Sequence, residues 1–184
     1  MEKFRIKDRT LDDSQVVYTA KVKKITDKIF EDRGERPKYF SHTYGCQQNE
    51  NDTERMNGLL EKMGFEETKN KEDADLILFN TCAVREHAEQ KILGNLGALV
   101  KNKRENPDLK IVLCGCMFQQ KHVVDKIKKY KHVDMIMGTH ALSRFPENIY
   151  KLLTGEKKVV DADDEDTLPL ENVPVKREDG LKAW

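Results

Sequence analysis

A chain of 184 residues, 38% hydrophobic and 36% charged, is long enough for one domain with a true core. Lys plus Arg and Asp plus Glu number 33 each, so no net field draws the whole chain onto nucleic acid or an anionic membrane. The start, Met1 to Thr10, lacks a signal-peptide core, and no window approaches the roughly 18 apolar residues of a membrane span. A cytoplasmic protein without membrane contact is expected, and in that reducing compartment its four cysteines read as thiols, ligands or nucleophiles rather than disulfides.

Residues 1–36 form a charged extension with an amphipathic helix from about Asp13 to Phe30, whose Tyr18, Val22, Ile25 and Ile29 recur three or four apart; Gly34 and Pro37 end it. From Lys38 short apolar runs alternate with helical stretches. The runs are Lys38 to His42, Asp75 to Asn80, Lys110 to Cys114 and Val133 to Met137, with Phe65 to Thr68 as a candidate edge strand. Between them lie one helix striped by Met56, Leu59, Leu60 and Met63 and closed by Gly64, and a second striped by Ala88, Ile92, Leu96, Leu99 and Val100. A third, after Cys116, turns Val123, Val124 and Ile127 inward. The fourth starts at a Ser143 cap, carries Pro146 in its first turn and runs to Leu153. Strands joined by helices of this length imply right-handed parallel crossovers, hence an α/β fold: a three-layer Rossmann-like sandwich with a mainly parallel sheet over residues 37–155. Beyond Gly155, a candidate strand Lys158 to Val160, the acidic run Asp161 to Asp166 and the prolines 169 and 174 make residues 156–184 a solvated linker.

Cys46, Cys82 and Cys116 each follow a predicted strand by a few residues, in Thr43-Tyr-Gly-Cys46, Asn80-Thr-Cys82 and Cys114-Gly-Cys116. In a parallel sheet these strand ends share one edge, where open α/β sheets bind ligands, so thiols distant in sequence can converge on a soft ion, zinc or an iron-sulfur cluster. The competing reading is that cysteine is a small hydrophobe, common in cores. Cys114 completes the apolar run Ile111 to Cys114 and reads best as a core strand residue; as a fourth ligand it would close the site for electron transfer, whereas three thiolates leave one iron of a cubane open. Asn49, Asn80 and Arg85 flank these positions and could donate to a bound group or satisfy turn backbone. His42, His87, His122, His132 and His140 read as solvated or turn residues. Lys101 to Arg104 and Lys126 to Lys131 read as solvated faces, with RNA phosphate contact as the alternative.

The motifs Thr43-Tyr-Gly-Cys-Gln-Gln-Asn-Glu-Asn-Asp-Thr-Glu-Arg-Met56, Ala74-Asp-Leu-Ile-Leu-Phe-Asn-Thr-Cys-Ala-Val-Arg-Glu86, Leu113-Cys-Gly-Cys-Met-Phe-Gln119 and His132-Val-Asp-Met-Ile-Met-Gly-Thr139 resemble the amino-terminal domain of radical S-adenosylmethionine methylthiotransferases. The resemblance spans about residues 38 to 155. It implies that Cys46, Cys82 and Cys116 bind an auxiliary 4Fe-4S cluster and that Cys114 does not. Within the family the forms around Cys46 and Cys82 look most like the branch that makes 2-methylthio-isopentenyladenosine beside the tRNA anticodon, although Gln48 stands where methionine is usual.

That family cleaves S-adenosylmethionine at a second 4Fe-4S cluster on a Cys-x-x-x-Cys-x-x-Cys motif, and these 184 residues contain no such triplet. Asn172 to Trp184 resembles the segment leading into the radical domain. The expectation is therefore an auxiliary-cluster domain, inactive alone, with no residue of its own performing proton transfer. In the full enzyme, a monomer, tRNA would be met mainly through the missing domains. Three other readings stand beside it: a methylthiotransferase of another substrate branch, a stand-alone cluster or metal scaffold or electron carrier, and, last, a flavodoxin-like domain, for which Tyr44 to Asn49 offers only one loop glycine.

Overall fold

The computed structural model describes residues 13–83, 88–162 and 176. Helix α1 (Asp13–Arg33) precedes strand β1 (Lys38–Tyr44), helix α2 (Gln47–Lys62), a two-residue strand β2 (Glu66–Glu67) and strand β3 (Leu76–Thr81). Helix α3 (Ala88–Glu105), strand β4 (Lys110–Cys114), helix α4 (Lys121–Ile127), strand β5 (Met135–Met137), helix α5 (Phe145–Leu153) and strand β6 (Val159–Asp161) follow. The six strands form one sheet in the order β2-β1-β3-β4-β5-β6, every pairing parallel. The chain winds outward from β1 to β2, then returns past it to β3, so the order reverses between β1 and β3.

Alternation along the central strands divides the core. Leu76 and Leu78 of β3, with Val112 and Cys114 of β4, join Val22, Met56, Leu60 and Ile149 on the face covered by α1, α2 and α5. Ile77, Phe79, Ile111 and Leu113 pack with Ile92, Leu96 and Ile127 on the face covered by α3 and α4. Strand β3 is buried along its whole length, as a central parallel strand covered on both faces must be, which is why it reads as an unbroken apolar run.

Four sequence expectations shift. Helix α1 buries Gln15, Thr19, Val22 and Thr26, so its inward stripe is partly polar, with Tyr18, Ile25 and Ile29 at its margin. Its contacts are specific: the Thr26 hydroxyl donates to the Met63 carbonyl at 2.6 Å, and Tyr18 packs on Tyr150 with ring centroids 5.5 Å apart. Ser143 does not cap α5. It lies in a 3-10 turn, Thr139–Arg144, and the Glu147 N–H in the first turn of α5 donates instead to Gln15 Oε1 at 3.2 Å, a cap supplied by α1. Val100 faces solvent, one position round the helix from buried Leu99. Strand β1 runs two residues further than its apolar run because Thr43 and Tyr44 keep their pairing with β3.

Lys176 is fixed beside α2 and β2. Its N–H donates to the Glu54 carbonyl at 3.1 Å, its ammonium meets Glu61 and lies 2.6 Å from Glu67, and it stands 5.8 Å from the centre of the Tyr39 ring. None of the described helices is long and apolar enough to cross a membrane.

Candidate functional site

Register sets the height of the cysteines. Tyr44 pairs with Thr81, and Asn80 with Cys114. Cys82 is therefore level with Cys116, and Cys46 lies one residue step beyond, on loops leaving three adjacent strands at the carboxyl edge. Cys46 and Cys82 flank the point between β1 and β3 where the strand order reverses, the position at which open α/β sheets make a ligand crevice.

Each thiol has a different setting. Cys46 is half-buried and is the N-cap residue of α2, which puts its sulfur at the positive end of the helix. Its N–H donates to Asn49 Oδ1 at 3.3 Å, and its Sγ lies 3.2 Å from the same oxygen. Cys82 is buried, 1% exposed. Cys116 is half-buried, opens the 3-10 turn Cys116–Gln119, and its Sγ accepts the Ala83 N–H at 3.1 Å, so it reaches across to the loop that follows Cys82. Burial pushes the Cys116 thiol up, the Ala83 N–H works against that, and the neighbouring sulfurs of Cys82 and Cys46 push it up again. The Cys116 sulfur thus lies within electrostatic reach of both Cys82 and Cys46.

Cys114 is set apart. It points into the core beneath α2 and α5, donates to the Phe79 carbonyl at 3.6 Å and is 2% exposed; burial, with the nearby Asp52 charge, pushes its thiol well up. With Asp52, Asn80 and Gly115 it borders a cavity of about 10 Å³, room for one water and far too small for a mononucleotide.

Asn49 and Asn80 are 2% and 1% exposed and bond to each other. Asn49 Nδ2 donates to Asn80 Oδ1 at 2.8 Å, while Asn80 Nδ2 donates to the Asn49 carbonyl at 2.8 Å and to Thr53 Oγ1 at 3.0 Å. Of the two readings open in the sequence, the amides satisfy loop backbone and each other. The loop glycines serve this packing. A Cβ at Gly45 would lie 2.4 Å from Asn49 Cβ; at Gly115, where φ is 113°, it would lie 2.3 Å from the Thr81 carbonyl oxygen and 2.4 Å from Asn80 Oδ1. Sequence reasoning missed the bond from Asn49 back to the Cys46 N–H, though the spacing of Asn49 three residues after a helix N-cap is the signal that could have found it.

The other candidates are dispersed. His132 donates to the Leu96 carbonyl at 2.9 Å, and His42 stacks on Tyr44 with centroids 4.4 Å apart. Lys103 binds Asp134 at 2.9 Å and Lys126 binds Glu89 at 2.6 Å, so lysines in both basic stretches serve internal pairs. Arg85 and His87 lie outside the described residues. Among the described residues no group of three or more His, Cys, Asp or Glu side chains is arranged to hold a single metal ion. The fit to an iron-sulfur cluster rests on other observations: three thiols within one residue step of each other at one sheet edge, Cys116 interacting with both of the others, and a backbone N–H already aimed at its sulfur in the way proteins tune such clusters.

This architecture defines a doubly wound, all-parallel α/β domain with a thiol site at the carboxyl edge. Residues 38–138 match Uncharacterized protein family UPF0004, and the chain belongs to that family. It is 48% identical over 174 residues to the tRNA-2-methylthio-N(6)-dimethylallyladenosine synthase of Alkaliphilus oremlandii, covering 92% of this chain and 37% of the relative. The proteins of the same name from Acetivibrio thermocellus and Clostridioides difficile are 49% and 45% identical, covering 82% and 91% of this chain and 32% and 35% of theirs. These relatives are tRNA-modifying enzymes by name, and the chain spans between 32% and 37% of their length.

Proposed function

We propose that this chain is the auxiliary-cluster portion of a cytoplasmic, monomeric tRNA methylthiotransferase that places a methylthio group on C2 of N(6)-dimethylallyladenosine, also called isopentenyladenosine, next to the anticodon. The observation that carries the proposal is the gathering of Cys46, Cys82 and Cys116 at one edge, inside a domain similar over most of its length to synthases of that product. Cys46, Cys82 and Cys116 would hold a 4Fe-4S cluster, which when bound supplies an iron free of protein ligands, suited to take a sulfur species. Cys46 holds its sulfur at a helix N-terminus, Cys82 is shielded from water, and Cys116 receives the Ala83 N–H. Cys114 remains a core residue. S-adenosylmethionine and a second cluster belong to a radical domain that carries the Cys-x-x-x-Cys-x-x-Cys motif, most tRNA contact belongs to the other domains of the enzyme, an RNA-binding barrel among them, and this chain alone transfers nothing.

The test is anaerobic reconstitution with iron and sulfide, followed by iron counting and absorption spectra for the parent and for four cysteine-to-alanine variants. The expected outcome is about four irons per chain in the parent and in C114A, and loss of the cluster in C46A, C82A and C116A. Equal iron in all five proteins would refute the assignment.

A further inference from the structure

The three cysteine loops are built around a single polar hub. Asn49 Oδ1 accepts the N–H of Cys46, which fixes the first loop. Asn80 stands two residues before Cys82 at the end of β3, and Asn49 Nδ2 reaches both its side chain at 2.8 Å and the Thr81 carbonyl at 3.4 Å, which fixes the second. Gly115, immediately before Cys116, packs so closely on Asn80 Oδ1 and Thr81 that a methyl group has no room, which fixes the third. Thr53 braces the hub from α2, donating to the Asn49 carbonyl at 2.9 Å and accepting from Asn80 at 3.0 Å. Every side chain in the hub is neutral, and Asn49, Asn80 and Thr53 are all at least nine-tenths buried.

We propose that Asn49 and Asn80 are positioning residues for the cluster: their reciprocal amide bonds set the distance between the Cys46 and Cys82 loops and seat Gly115, and so set the spacing of the three sulfurs before any iron arrives. The inference rests on the cluster reading above. Buried amides are costly to desolvate and stay only where their bonds are met, so a two-way amide pair is a rigid spacer. Being uncharged, it fixes geometry without adding a charge beside the sulfurs. Groups of this kind, one shell out from the ligands, typically control metal affinity 10- to 100-fold.

The experiment measures cluster release to an iron chelator under anaerobic conditions, with thermal melts, for the reconstituted 184-residue chain and the variants N49S, N80S and L152A. Leu152, 1% exposed on α5, is a core residue away from the hub, so L152A lowers stability without touching it. The expected result is release about 10-fold faster in N49S and N80S, with L152A at the parent's rate despite a comparable drop in melting temperature. T53V, which removes only the brace, gives a smaller rise and serves if N80S fails to fold. Release in N49S, N80S and T53V no faster than in L152A overturns the positioning role. Retention of parental iron by C46A, C82A and C116A would instead overturn the cluster reading beneath it.

Discussion

Two polar networks finish the carboxyl edge of one sheet, and they use opposite chemistry. Over β1, β3 and β4, Asn49, Asn80 and Thr53 form a neutral network, buried throughout. Over β6, Asp161 accepts Arg144 through two bonds, 3.0 and 2.5 Å, and Asn148 at 2.7 Å, and the ion pair is partly wet, with side chains 25% and 14% exposed. The difference follows from what each half must leave undisturbed. A fixed charge 4 Å from a sulfur is worth about 4 kcal/mol at an effective dielectric of 20, enough to decide whether that sulfur carries charge. Beside the thiols the chain joins its loops with groups that have no such preference. Beside β6, where no cysteine stands, an ion pair ties the turn before α5, and Asn148 ties α5 itself, to the last strand.

Several variants would break or sharpen this contrast. The largest effect is expected from G115A, which forces an L side chain to φ 113° and drives its Cβ into Thr81; a loss on the order of 3 kcal/mol in urea denaturation is expected, and a loss under about 1 would mean that the neutral half is not rigid. R144M strands the Asp161 carboxylate and should cost about 2 kcal/mol. Raising the salt to about 1 M should narrow the gap between R144M and the parent and leave that between N80S and the parent unchanged; identical salt responses in melting experiments would erase the distinction.

Acid separates the halves next. Burial opposes ionisation of Asp161, but Arg144 and Asn148 outweigh it and hold its carboxyl below the ordinary 3.8. A carboxyl depressed in the fold contributes stability that is complete above its unfolded value and drains away as pH falls through the folded one. D161N should therefore be less stable than the parent at neutral pH and converge on it as the pH falls through the depressed value of the Asp161 carboxyl, whereas N80S should keep its deficit across that range. The smallest effect is C114A, about 1 kcal/mol from a small cavity under α2.

The strands were legible because parallel strands covered on both faces appear as unbroken apolar runs, and Leu76 to Phe79 is the clearest of them. The placement of the three cysteines at one edge followed from strand order and parallel pairing, both implied by the alternation of runs and helices. Local pattern could not show contacts made across long sequence separations. Asn49 and Asn80 are 31 residues apart, and each alone reads as a turn residue. The cap of α5 comes from Gln15, 132 residues earlier, so a nearby Ser143 was the natural but mistaken candidate. Helix α1 disguised its packing face because Thr19, Thr26 and Gln15 fill it: Thr19 bonds back to the Gln15 carbonyl within the helix, while Thr26 and Gln15 reach partners in Met63 and Glu147 that only the folded chain provides.

The anchor at Lys176 has a mechanical consequence. Strand β6 and strand β2 are the two outermost members of the sheet, so the contacts of Ala162 and Lys176 stand on opposite margins, five strand spacings or about 24 Å apart. Fourteen backbone steps, at most about 50 Å of contour, separate them along the chain. Tension applied to the chain beyond residue 176 consequently meets the bonds of Lys176 to Glu54, Glu61 and Glu67, on α2 and β2, before it reaches β6 at the far margin. In a single-molecule pulling experiment K176A should abolish the first, shortest extension event and transfer the load to β6; an unchanged force trace would show that this residue bears none of it.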